Sequence, residues 1–229
     1  MMKTLIVIPA RYASSRFPGK PLAMIAGKSL LLRVWQQCAP VLGPEHVVVA
    51  TESEEIRAHC EDNGMRCVMT SDNCPTGTDR LAEVAHTLEA DLYINVQGDE
   101  PLIDPDDIRQ VINAAHDRPD TILNAYCPIE QEADYYSETV PKVVFRPCGR
   151  LLYMSRAPIP GNKQGSFSRG WKQVCIYAFP PVALHAYAAQ GKQGQLENEE
   201  DIEILRFLEL GYEVEMIPVS RSSIAVDVP

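Results

Sequence analysis

The segment Ile8-Pro9-Ala10-Arg11-Tyr12-Ala13-Ser14-Ser15-Arg16-Phe17-Pro18-Gly19-Lys20-Pro21-Leu22 crowds three cations, two serines and a glycine into one short loop. Guanidinium forks (Arg11, Arg16), a lysine point charge (Lys20), hydroxyls (Ser14, Ser15) and free backbone N–H groups are what phosphate oxygens bind. The loop follows an apolar run, Thr4–Ile8, that reads as a buried strand. The carboxyl end of a first strand is where an open α/β sheet takes its ligand. The formal net charge of the chain is −10, so this cationic loop is a local exception.

Gln97-Gly98-Asp99-Glu100-Pro101 is the second candidate. Two adjacent carboxylates after a strand, beside a glycine that lets a ligand approach, suit a Mg²⁺ ion held over phosphates. The same residues also read as a plain turn leading into a helix cap at Asp104. Asp227, in the terminal Ala225-Val226-Asp227-Val228-Pro229, would join Asp99 on one metal if the last strand returned beside the one before Gln97. Cys74-Pro75-Thr76-Gly77-Thr78-Asp79-Arg80 precedes a helix with Thr78 as expected N-cap, and either contacts a base or ribose or simply starts the helix. The acidic run Glu197, Glu199, Glu200, Asp201 and Glu203 reads as a solvated helix start, with one or two members free to face a polar substrate. No GxxxxGK[ST] loop, no GxGxxG after the first strand and no GxSxG elbow occurs, which removes those ATPase, dinucleotide and hydrolase fingerprints.

Strands and helices alternate to position these groups. Leu5–Ile8, Val47–Ala50, Cys67–Met69 and Leu92–Val96 read as strands, the last central because its apolar character is unbroken. Leu30, Leu31, Val34, Trp35 and Cys38 share a helical face, as do Leu81, Val84, Ala85 and Leu88. A polar helix spans Glu54–Asn63, and Asp104-Pro105 opens another carrying Ile108, Val111, Ile112 and Ala115. From about residue 121 the rhythm changes: Ile122–Tyr126, Lys142–Phe145 and Leu151–Met154 predict an antiparallel excursion, and residues 155–172 a mobile loop. Val174–Phe179 is then a strand, Glu199–Leu210 a helix and Val214–Val219 a final strand. The expectation is one α/β domain over residues 1–229: a mixed, mostly parallel sheet with helices on both faces and a hairpin excursion at about 121–172.

At 229 residues the chain can bury a sizeable core. Its acidity argues against nucleic-acid and anionic-membrane partners, and no apolar run approaches the ~20 residues of a membrane helix. The short apolar N-terminus leads straight into the first strand rather than forming a signal peptide. Seven scattered cysteines without a CxxC pair fit reduced thiols in the cytoplasm.

Together "IPARYASSRFPGKPL", "TGTDRL", "NVQGDEP", "SRAPIP", "IYAF" and "AVDVP", in this order, resemble the bacterial CMP-Kdo synthetases (3-deoxy-manno-octulosonate cytidylyltransferases) over essentially the whole chain. The resemblance implies a Rossmann-like nucleotide-diphospho-sugar transferase fold, a CTP and Mg²⁺ requirement, and a homodimer built through the late hairpin. It implies transfer of the cytidylyl group to a sugar acid, for lipopolysaccharide or capsule synthesis. Arg11, Ser14, Ser15, Arg16 and Lys20 would then cradle the triphosphate, and Thr78 and Arg80 seat the cytidine. Asp99 and Asp227 would hold the metal, with Lys20, Arg11 and Asp99 catalytic. Gln97, Tyr177, Glu203 and the position of Gln173 would, on this resemblance, belong to the sugar-acid pocket. Where the family usually has a histidine and a glycine ahead of its "IYGY", the chain reads Gln173-Val174-Cys175 ahead of Ile176-Tyr177-Ala178-Phe179. The alternatives are therefore the same chemistry on a different acid (an amino-Kdo, another ulosonic acid, a phosphonate) and a non-catalytic CTP-binding paralogue.

Overall fold

The computed structural model describes residues 2–13 and 17–220. The first strand, β1 (Thr4–Pro9), is buried at all six positions, as its unbroken apolar run requires. A small hairpin, β2 (Met24–Ile25) and β3 (Lys28–Ser29), leads to α1 (Leu30–Leu42), whose N-cap Ser29 accepts from Leu32 N–H at 3.1 Å. β4 (Val47–Thr51), α2 (Glu54–Asp62) and β5 (Arg66–Met69) follow. α3 (Gly77–Thr87) then crosses to β6 (Leu92–Val96), and α4 (Pro105–Asp117) starts behind the Asp104 cap. The N-cap of α3 is Thr76 rather than Thr78. Thr76 closes a capping box with Asp79, leaving Thr78 inside the first turn.

The second half contains β7 (Ile122–Pro128), α5 (Glu132–Tyr136), β8 (Lys142–Phe145), β9 (Leu151–Ser155), β10 (Trp171–Phe179), α6 (Pro181–Ala189), α7 (Gln195–Glu200), α8 (Ile204–Glu209) and β11 (Val214–Pro218). The main sheet runs β11-β7-β10-β6-β1-β4-β5, with β8 beside β10 and β9 beside β8. β1, β4, β5 and β6 are parallel and β10 runs against them. β7, at the expected start of the excursion, is a strand of this main sheet: it pairs antiparallel with β10 and parallel with β11. Only β8 and β9 leave as a hairpin.

One core cluster packs α1, α2 and α4 on one face of the sheet; the other packs α3, α6 and α8 on the opposite face. β1 is flanked by β4 and β6 and the chain changes direction across it, so a crevice opens between the carboxyl ends of β1 and β6. The expected single helix Glu199–Leu210 is two short helices. Asp201 takes the left-handed conformation (φ 51°) and breaks it. The acidic run is also less solvated than its sequence implies: Glu197 is 1% exposed, held by Arg206, and Glu203 turns inward onto α3. Among the described residues no helix is long and apolar enough to cross a membrane.

Candidate active site

A cleft of about 310 Å³ occupies the crevice. Its floor is formed by Pro9, Ala10 and Arg11 from the end of β1 and Gln97, Gly98 and Asp99 from the end of β6. Gly98 is required there: a Cβ would come within 2.9 Å of the Pro9 carbonyl oxygen. At Gly77 a Cβ would sit 3.2 Å from the Pro9 ring and 3.3 Å from the Gln97 amide, so the first turn of α3 closes down on the same floor.

The cationic loop is pinned at both ends. Gly19, left-handed at φ 69°, donates its N–H to Tyr12 O at 2.9 Å, and Lys20 N–H reaches Phe17 O at 3.2 Å. The Tyr12 N–H donates to Glu52 Oε1 at 2.8 Å. This geometry sends Lys20 across the cleft, where Nζ lies 3.0 Å from Asp99 Oδ2. Arg11 is exposed at the cleft.

The cleft brings together Arg11, Lys20, Arg80, Gln97, Asp99 and Glu203. Arg80 is 3% exposed and engaged with Glu52 Oε2 at 2.8 Å, with Thr70 Oγ1 and with the Ser71 carbonyl at 3.3 Å. Glu52, which no sequence signal marked, thus ties the cationic loop to the wall that carries Arg80. Glu203 spends both oxygens on the start of α3: Oε1 accepts from Gly77 N–H at 3.1 Å, and Oε2 accepts from Thr78 N–H at 2.8 Å and Thr78 Oγ1 at 2.5 Å.

Three other expected site residues do not line the cleft. Thr78 is buried because its hydroxyl is turned into Glu203. Tyr177 is 6% exposed among apolar neighbours, and burial first, then the neighbouring Cys175 and Glu203, pushes its phenol well above the ordinary range. It is therefore a neutral hydroxyl and not a base. Gln173 Nε2 donates to Asn124 Oδ1 at 2.9 Å. Ser14, Ser15, Arg16 and Asp227 lie outside the described residues. β11 is not beside β6, being separated from it by β7 and β10, but the parallel β7–β11 pair ends at the same sheet edge as Asp99.

The residues present fit a magnesium ion. Among the described residues no group of three or more His, Cys, Asp or Glu side chains forms a protein cage. Mg²⁺ takes one or two carboxylates and completes its octahedron with water and phosphate oxygens. Asp99, partly exposed at the cleft floor beside a lysine and a glycine, presents such a carboxylate.

Burial raises the carboxyl of Glu203 above its ordinary value, against the pull of its three donors. In the folded state the group therefore holds its proton to higher pH. Its contribution to stability is fully present below the unfolded value of 4.5 and declines as pH rises through the folded pKa. Glu203→Gln is expected to remove that decline from thermal melts taken as a function of pH. It should also lower the melting temperature at acid pH, because one α3 N–H loses its acceptor at a cost of about 1–3 kcal/mol.

The crevice pairs cations with a carboxylate at its floor, and the family model described as Cytidylyltransferase matches residues 5–214, which makes the protein a nucleotidyltransferase. The 3-deoxy-manno-octulosonate cytidylyltransferase of Escherichia coli is 37% identical over 229 residues, covering 100% of this chain and 93% of that protein. The 8-amino-3,8-dideoxy-manno-octulosonate cytidylyltransferase of Shewanella sp. (strain W3-18-1) is 39% identical, covering 100% and 95%. A solved CMP:2-keto-3-deoxy-manno-octonic acid synthetase, complexed with CTP, superposes with a TM-score of 0.91 at 37% identity over 99% of this chain and 94% of that one. The chain belongs to the CMP-Kdo synthetase (3-deoxy-manno-octulosonate cytidylyltransferase) family.

Proposed function

We propose that the chain joins the anomeric hydroxyl of Kdo to the α-phosphate of CTP, releasing pyrophosphate, with Mg²⁺ bound at Asp99. The observation that carries this reading is the Lys20–Asp99 pair, 3.0 Å apart at the crevice between β1 and β6. The pair sets a phosphate-binding cation and a carboxylate able to hold a metal side by side at the crevice, where one triphosphate would meet both. Arg11 and Lys20, with Ser14, Ser15 and Arg16 of the same loop, hold the triphosphate; Mg²⁺ supplies additional positive charge to the phosphates. Phosphoryl transfer needs little covalent help from the protein, so positioning and charge neutralisation do the catalysis. Arg80 and the Thr76–Thr78 turn shape the cytidine side. Gln97 faces the acid acceptor, and Asp227 is the second metal carboxylate.

The β8–β9 hairpin supports a homodimer. Leu152 on β9 is 54% exposed, and β9 pairs on one side only among the described strands. The product would serve lipopolysaccharide or capsule synthesis in the cytoplasm.

Gln173, in place of the family's histidine, favours a second reading in which the acceptor is the 8-amino acid named for the Shewanella relative. A pyrophosphate-release assay with CTP, Mg²⁺ and a panel of Kdo, 8-amino-3,8-dideoxy-Kdo and other ulosonic acids separates them. Turnover with Kdo at the highest kcat/KM is the expected result. Preference for the amino acid would transfer the assignment to it, and silence with every acid would leave a CTP-binding paralogue.

A further inference from the structure

The register of β10 slips as it passes β7. Val174 pairs with Ala125 but Tyr177 pairs with Asn124, so Cys175 and Ile176 are extra on β10. Such a bulge takes backbone carbonyls off the ladder, and a buried carbonyl must find another donor. The Asn124 side chain, 0% exposed, supplies it twice: Nδ2 donates to Val174 O at 3.1 Å and to Ile176 O at 3.0 Å. The remaining Oδ1 accepts from Gln173 Nε2 at 2.9 Å, which fixes the amide in the orientation that serves both carbonyls.

On its other side β10 keeps register with β6, and Cys175 O accepts from Gln97 N–H at 3.3 Å. Residues 173, 175 and 177 share one face by strand alternation. Burial first, then the nearby carboxylates of Glu100 and Asp99, pushes the Cys175 thiol well above its ordinary range. The bulge therefore stands directly against Gln97, the first of the cleft-floor residues that follow β6. Of the two departures from the family pattern, Cys175 lies in the bulge and Gln173, in register with Tyr126, braces the amide that serves it.

We propose that Gln173 is a positioning residue: with Asn124 it clamps the β10 bulge that sets Cys175 against Gln97 at the cleft floor, and so shapes the acceptor end of the cleft. This rests on the cytidylyl-transfer reading for its catalytic consequence, while the clamp itself is independent of that reading.

Two measurements test it. Gln173→Met keeps the side chain's length and removes the amide. In the unliganded protein its amide hydrogen exchange over residues 174–178 is expected to quicken by about tenfold, with the rest of the sheet unchanged. Unchanged exchange there would overturn the clamp, and this readout needs no turnover. The second is a double-mutant cycle with Asn124→Ser on kcat/KM for the preferred acid. Each single substitution is expected to lower it about tenfold with KM for CTP unaltered, and the double variant to be no worse than Asn124→Ser alone. Additive losses, with Gln173→Met raising only the KM of the acid, would make Gln173 a direct ligand. If Asn124→Ser does not fold, the exchange result decides by itself. If no acid is turned over, the functional reading fails and the exchange result still judges the clamp.

Discussion

Asp99→Asn is expected to reduce turnover by about a thousandfold while leaving the melting temperature almost unchanged. Several kcal/mol of charge stabilisation is typical for a metal acting on phosphoryl oxygens, and each ~1.4 kcal/mol is tenfold in rate. An asparagine keeps the size of the side chain and one oxygen but withdraws the anion that would hold Mg²⁺. The stability side is small for a separate reason. The Lys20–Asp99 pair has side chains 17% and 33% exposed, and an ion pair that meets solvent is worth about 0–1 kcal/mol. Steady-state kinetics with a Mg²⁺ titration, beside a thermal melt, checks both halves. Loss of the fold would assign Asp99 a structural role, and retained turnover would remove it from the metal site.

That carboxylate was legible in the sequence because its signal is local. A continuous apolar strand, a glycine and two acids in succession lie within ten residues, and the cations of the first loop, Arg11 to Lys20, likewise span ten, close behind their strand. The same holds for the apolar face of α1 and for α4, whose start the Asp104-Pro105 cap marked. What was illegible depends on partners far away in the chain. Glu52 bridges the backbone of Tyr12 and the guanidinium of Arg80, and nothing beside it in sequence points to either. Helix periodicity across Glu199–Leu210 ignores that Glu203 is drawn onto the N–H groups of Gly77 and Thr78, more than a hundred residues earlier, which turns the chain at Asp201. Gln173 looked like a substitution within a ligand set; only the slipped register of β10 against β7 reveals the amide it meets.

The largest expected loss of stability follows from Arg206→Ala, at a residue with no sequence mark of importance. Its side chain is 1% exposed, and its guanidinium makes a two-pronged contact with Glu197, Nε to Oε2 at 2.5 Å and Nη2 to Oε1 at 2.7 Å. It makes another with Asp79, at 2.8 and 3.2 Å, and lies 3.6 Å from the centre of the Tyr187 ring. Truncation strands two carboxylates. Glu197 is 1% exposed with only Tyr187 OH, at 3.0 Å, and the Gly194 N–H left to it. Asp79 is the closing member of the Thr76 capping box, so the start of α3 loosens with it. Removing one partner from a buried ion pair costs about 3–5 kcal/mol, far above the worth of an exposed pair. For a domain of this size that is a fall of roughly 6–20 °C in melting temperature. Arg206→Lys keeps the charge and loses the fork, so it should fall between wild type and alanine. Glu197→Gln added to Arg206→Ala should recover part of the loss, because one stranded anion is then neutral. A melting temperature unchanged in Arg206→Ala would show that the network contributes nothing net. Since Gly77 and Thr76 line the cleft, activity measured well below the melting point is also expected to fall, through a displaced α3, in step with the stability of the variants.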